Sequence, residues 1–215
     1  MKKDLTELVF ILDESGSMSG LEKDTIGGFN SLIEKQKKEE GEAIVSTVLF
    51  NDKMKVINDR IDIKNVAKLT TDDYCASGCT ALLDAVGFSI NHIRHVQENL
   101  KEAERPEKTL IIITTDGLEN SSKEFNYMKL KKLISSVKEK EKYEFIFLGA
   151  NIDSEDEAEK LGIDKEQAVS YKNDDCGIQI NYCALGEAIT GFRKEKKLSK
   201  KWRETIDKDV ENRGK

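Results

Sequence analysis

At 215 residues the chain can build one α/β domain with a core of its own and has little length left for a second. Hydrophobic residues make up 38% and charged residues 35%, and no apolar run approaches the ~20 residues that span a bilayer, which excludes a membrane-crossing helix. The net charge of -6 argues against nucleic acid as the main partner, because that binding draws much of its strength from basic patches.

The opening segment MKKDLTELVFIL places two lysines before an apolar run, as an export signal does. Asp4 and Glu7 interrupt it and no small-residue cleavage site follows, so it reads as a first strand. The four cysteines have irregular spacing and read as reduced thiols, which makes the cytoplasm the expected location.

Further along, apolar runs alternate with amphipathic segments, the pattern of a mostly parallel sheet with helices on both faces. The clearest strands are residues 8–12 (LVFIL), 43–50 (AIVSTVLF), 110–114 (LIIIT) and 143–148 (YEFIFL). Their continuous hydrophobicity suits strands buried on both sides. Residues 53–58 follow the second strand after only Asn51-Asp52, a tight hairpin that gives one antiparallel edge strand, and residues 168–171 make a short sixth strand.

Helices are expected over residues 21–38, 81–102, near 154–161 and over 176–194, with another carrying Leu130, Leu133, Ile134 and Val137. Ser19-x-x-Glu22 and Ser121-x-x-Glu124 have capping-box spacing and should open the first of these and the Leu130 helix. Pro106, the only proline, sits where it can end a helix without removing a sheet hydrogen bond. The domain is expected over residues 1–195. Residues 196–215 form a charged tail in which Leu198, Trp202, Ile206 and Val210 have helical spacing, and this amphipathic helix is expected to fold back onto the domain. The basic run 193–203 (RKEKKLSKKWR) reads as a solvated surface.

Ligands of open α/β sheets bind beyond the carboxyl ends of the strands. Three loops there carry small oxygen-bearing side chains: Asp13-Glu14-Ser15-Gly16-Ser17 after LVFIL, Gly78-Cys79-Thr80 before the long helix, and Asp116-Gly117 after LIIITT. Taken singly, the serines suit ordinary turns and Thr80 suits a helix cap. Taken together, two carboxylates and three hydroxyls at strand ends describe a site for a hard divalent cation, in which neutral ligands leave the metal electrophilic.

The pattern D-x-S-x-S after a strand, a later G-x-T before a helix, and T-D-G after another strand resembles the metal-ion-dependent adhesion site of von Willebrand factor A domains, over roughly residues 5–192. FIFLGANID, residues 145–153, is also similar to a segment of small bacterial members. The resemblance implies a three-layer Rossmann-like fold in which Ser15 and Ser17 bind the metal directly, Thr80 directly or through water, and Asp13 and Asp116 through waters and hydrogen bonds. Mg²⁺ fits best, Mn²⁺ can substitute and Ca²⁺ fits less well.

In such domains an acidic side chain of a partner protein completes the metal's shell, and bacterial members often serve AAA-type ATPases or stress-response complexes. By analogy with the family, closing the shell is expected to shift the last core helix, about residues 177–193, and so to signal to the far end of the domain. Cys79 stands where many relatives have a second glycine and is expected as a small buried residue.

Other chemistries fit less well. Cys75, Cys79, Cys176 and Cys183 lack zinc-knuckle spacing. His92 and His95 lie on the long helix opposite its apolar stripe, too far from the serines to serve as a hydrolase base. A haloacid-dehalogenase nucleophile loop would need an acid where Ser15 stands, and no P-loop or G-x-G-x-x-G follows a strand. The chain thus reads as a binding module rather than an enzyme, the alternative being a Mg²⁺-dependent phosphoester hydrolase.

Overall fold

In chain order, the elements of the computed structural model, which describes residues 1–195, 197–199 and 201–213, are β1 (Lys2–Asp13), α1 (Glu22–Gln36), β2 (Glu42–Phe50), β3 (Met54–Asp62), α2 (Leu82–Asn99), β4 (Pro106–Thr115), α3 (Tyr127–Lys140), β5 (Glu144–Ala150), α4 (Ser154–Leu161), β6 (Ala168–Tyr171), α5 (Asp175–Glu195) and α6 (Glu204–Asn212). The strands form a six-stranded sheet in the order β3-β2-β1-β4-β5-β6. Only β3 runs antiparallel, paired to β2 at one edge, as the short Asn51-Asp52 connection requires.

Alternation along the central strands divides the apolar residues between two cores. Leu8, Phe10 and Leu12 of β1 join Leu110 and Ile112 of β4 beneath α1, α5 and α6. Val9 and Ile11 join Ile111 and Ile113 beneath α2, α3 and α4. The strands are therefore buried on both faces, and the continuous runs have their explanation. Among the described residues no helix is long and apolar enough to cross a membrane.

Neither expected capping box forms. Gly20 adopts φ 93, which delays α1 until Glu22, and its N-cap Leu21 makes no side-chain bond. The α3 helix starts at Tyr127 with Asn126 as its cap, because Ser121 and Ser122 instead donate their backbone N–H groups to Glu119. The long helix stops at Asn99, and residues Glu102–Glu104 form a separate turn.

The tail does fold back: Trp202 and Ile206 are buried in the same core as α1 and α5, while Leu198 is partly buried. The basic run is not a simple solvated face. Arg193 is 8% exposed and donates to the carbonyl of Gln36 at the end of α1 and to those of Glu40 and Gly41 before β2, and Arg203 binds Lys165 O, Ala168 O, Glu155 and Asp207. Lys196, Lys200, Gly214 and Lys215 of the expected tail lie outside the described residues.

Two buried features permit stability tests. Helices α1 and α5 approach so closely at Gly28 that a Cβ there would stand 2.2 Å from the Tyr182 ring, whereas a Cβ at neighbouring Gly27 meets nothing within 4 Å. Gly28→Ala should cost about 1–3 kcal/mol through overpacking. Gly27→Ala should add roughly 0.5–1 kcal/mol through helix propensity. Urea denaturation of the two variants would expose the error if they shifted stability in the same direction.

Glu7, at the amino end of the sheet, is fully buried, paired with Arg60 and bonded by Gln97 Nε2 at 2.7 Å. Burial nonetheless outweighs these partners and pushes its carboxyl above the usual range. The folded protein then holds this proton more tightly than the unfolded chain, so the side chain's contribution to stability falls as pH rises from about 4.3 through the raised folded value. Relative to Glu7→Gln, the parent should lose stability over that window, and a constant difference across pH would contradict the assignment.

Candidate metal centre

The sheet order reverses between β1 and β4, so the chain leaves their carboxyl ends in opposite directions and opens a crevice there. Leu12 pairs with Thr114, which puts Asp13 beside Thr115 and Asp116 one residue beyond the strand. The expected residues are brought together. Asp13, Ser15, Thr80 and Asp116 are all buried, and Ser17 lies in the turn Gly16–Met18 that follows.

The serine hydroxyls stand 3.0 Å apart, Oγ to Oγ. Ser17 Oγ donates to Asp116 Oδ1. Thr80 faces the same point: a Cβ on Gly117 would lie 3.1 Å from Thr80 Oγ1 and 3.4 Å from Ser17 Oγ. At the 2.0–2.1 Å bond lengths of Mg²⁺, neighbouring octahedral oxygens stand about 3.0 Å apart; at Ca²⁺ lengths the octahedral edge grows to about 3.3 Å or more. The serine pair therefore fits the smaller ion without rearrangement.

Each carboxylate is held at both oxygens. Asp13 accepts Ser15 N at 2.7 Å and Thr115 Oγ1 at 2.6 Å, and Asp116 accepts Ser17 Oγ and Asn173 Nδ2, the latter at 3.1 Å. All these donors are neutral. Burial raises both carboxyls above their usual range, and no lysine or arginine among the described residues offsets it. Glu7, by contrast, has Arg60. Two buried carboxylates without a cationic partner are an electrostatic deficit that a divalent ion fits.

The loops are fixed by backbone bonds. Gly16 N donates to Gly78 O at 3.1 Å and Ser77 N to Glu14 O at 2.8 Å, joining the serine loop to the threonine loop. Gly78 makes this approach at φ 75, where a Cβ would meet Asp52 Oδ1 at 2.2 Å. Thr80 does not cap α2, whose N-cap is Ala81; Thr80 N donates to Asn120 Oδ1 and Asn120 N returns a bond to Thr80 O. Glu119 takes the capping role by accepting Leu83 N at 3.0 Å.

Beyond the expected residues the site also draws on Thr115, Asn120, Asn173 and Tyr74, whose hydroxyl donates to Asp13 O. Thr115 was visible within LIIITTDG, and Asn173 follows β6 at the same sheet edge that yielded the other site residues. Tyr74 and Asn120 sit in irregular loops and leave no periodic signal. Cys79 is exposed rather than buried, because Gly78 turns it outward while Thr80 points in. All four cysteines are free and exposed, and no three His, Cys, Asp or Glu side chains among the described residues converge on a metal position, so the thiolate zinc reading has no support. His92 and His95 are exposed, with His92 bonded to Asp59 on β3.

The family model described as von Willebrand factor type A domain matches residues 7–182. The sequence finds no match among curated proteins. The solved structures that share the fold include these three. The ArnB paralog VWA2 from Sulfolobus acidocaldarius is 20% identical at a TM-score of 0.55, over 85% of this chain and 44% of that one. Proximal thread matrix protein 1 from the mussel byssus, with zinc occupied MIDAS motif, is 16% identical at 0.58, over 86% and 46%. The manganese-loaded TRAP protein of Plasmodium vivax is 17% identical at 0.52, over 69% and 58%. The chain spans about half the length of these structures, and at such identities the likeness speaks for the fold. With the family model covering most of its length and the sheet order and strand-end loops described above, this chain belongs to the von Willebrand factor type A domain family.

Proposed function

We propose that the chain is a non-enzymatic, metal-dependent protein-binding module. Mg²⁺ is the ion it is built for, with Ser15, Ser17 and Thr80 as the hydroxyl ligands and Asp13 and Asp116 acting through water and hydrogen bonds. The observation that carries the reading is the pairing of two buried, cation-free carboxylates with a serine pair at 3.0 Å. Metal-occupied relatives, one with zinc and one with manganese, lend support by analogy.

When bound, a divalent ion with neutral hydroxyl ligands supplies an electrophilic docking point for a carboxylate. The chain's own residues do the rest. Thr115 and Ser15 N fix the Asp13 carboxylate, Asn173 and Ser17 fix that of Asp116, and the Gly16–Gly78 contact fixes the distance between the hydroxyl loops. An Asp or Glu of the partner completes the site, and a cytoplasmic AAA-type ATPase or stress-response assembly is the setting we favour. A binding role is favoured over catalysis because both Asp13 oxygens are already engaged and neither histidine stands beside the site.

Mg²⁺ at a hundredfold excess over its Kd should stabilise the protein by about 2.7 kcal/mol, a rise in Tm of roughly 5–10 °C for a chain of this size. Ser15→Ala and Asp13→Ala should abolish the rise. A melt that ignores Mg²⁺ and Mn²⁺ would remove the metal site.

For recognition, pull-downs are compared in Mg²⁺, in EDTA and with Ser15→Ala. Partners should be recovered only in the first, and the same proteins in all three would show that the metal is not the recognition element. Sustained phosphoester turnover with Mg²⁺ or Mn²⁺ that Asp13→Ala abolishes would favour the hydrolase instead.

A further inference from the structure

The β6–α5 connection contributes a residue to the metal centre that the D-x-S-x-S, Thr80 and Asp116 pattern does not contain. Asn173 Nδ2 donates to Asp116 Oδ2 at 3.1 Å. The other half of the amide, Asn173 Oδ1, is buried and accepts no hydrogen bond from any described residue. Turning the amide over would set its oxygen against the Asp116 carboxylate, so the contact itself dictates which end faces the acid. A buried amide oxygen without a donor is costly, and beside a cation site the donor at hand is a metal-bound water.

The surrounding turn holds the side chain in place. Asp174 N donates to Lys172 O at 3.0 Å and Gly177 N to Asp174 Oδ1 at 2.8 Å. Any side chain at Gly177 would collide with Lys172 O, 2.0 Å from the Cβ position, so the turn leading into α5 admits no looser packing. Arg213 then fastens Asp174 to the end of α6. Asn173 is thus pinned from both sides while its amide reaches Asp116.

We infer that Asn173 is a positioning residue of the metal centre, orienting Asp116 through Nδ2 and receiving a metal-bound water at Oδ1. This rests on the metal-site reading above. It gives the last core helix a direct contact with the site through the residue that leads into it.

The test compares the parent chain with Ser15→Ala, Asn173→Leu and Asn173→Asp, by calorimetric titration with MgCl₂ and by melting in EDTA. Asn173→Leu keeps the volume and loses both polar contacts, so Mg²⁺ affinity should fall roughly tenfold or more with little change of Tm in EDTA. Asn173→Asp keeps an acceptor for the water but sets a second carboxylate against Asp116, so it should melt lower in EDTA and regain more than the parent on adding Mg²⁺.

Equal Mg²⁺ affinity in the parent and Asn173→Leu, with Ser15→Ala still abolishing binding, would overturn this inference and leave the metal site standing. So would equal losses of affinity and EDTA-state stability in both Asn173 variants, the mark of a purely structural residue. A parent chain that binds no Mg²⁺ would remove the metal site and this inference with it.

Discussion

The organising constraint of this molecule is buried negative charge without a basic partner. Asp13 and Asp116 lie at 1% and 3% exposure, and every donor that reaches them is a hydroxyl, an amide or a backbone N–H. Such donors satisfy oxygen lone pairs but leave net charge in a medium of low polarisability. The chain meets the same problem differently at Glu7, where Arg60 supplies a permanent counter-charge. Even with that partner, burial keeps the Glu7 carboxyl above its usual range; Asp13 and Asp116, with neutral donors alone, leave room for the external cation proposed above.

The fold makes that arrangement possible by leaving nothing free to relax. Asp13 ends a strand with neighbours on both sides and a packed core on each face, so its backbone has no room to carry the carboxylate out to water. Asp116 follows the adjacent strand, and the hydroxyl loops are tied to each other by the contacts between residues 14–16 and 77–78. The reversal of strand order between β1 and β4 separates the outgoing chains, and the polar side chains occupy the resulting crevice.

Much of this was legible in the sequence because the main signals are local. Continuous apolar runs followed by Asp and Ser or by Thr-Asp-Gly specify both a buried strand and what waits at its end, and that located β1, β4 and Asp13, Ser15, Ser17 and Asp116. Thr80 was legible through its glycine and the amphipathic helix that follows. The capping boxes failed for local reasons: Gly20 in the left-handed region delays the start of α1, and Ser121 and Ser122 give their N–H groups to nearby Glu119. The other oxygen of Glu119 caps a helix 36 residues away in sequence. Cys79 is the last exposed residue of the Gly78 turn and Thr80 the first buried one, a boundary that only the three-dimensional turn decides. Arg193 and Arg203 carry no local sign of burial, since the carbonyls they bind, after α1 and before β6, are distant in sequence.

The same reasoning bears on why hydroxyls rather than more carboxylates complete the site. A third acid among Ser15, Ser17 and Thr80 would neutralise a divalent ion further and strengthen its retention, but it would also satisfy the ion within the chain. Ser15 and Ser17, their hydroxyls 3.0 Å apart, would offer two oxygens to the proposed ion without adding charge. Asp13 and Asp116, committed to Thr115 and Asn173, would balance its charge without enclosing it. As proposed, such a centre would bind a cation and still attract one more anionic oxygen, and that residual demand is what would make a partner's carboxylate its complement.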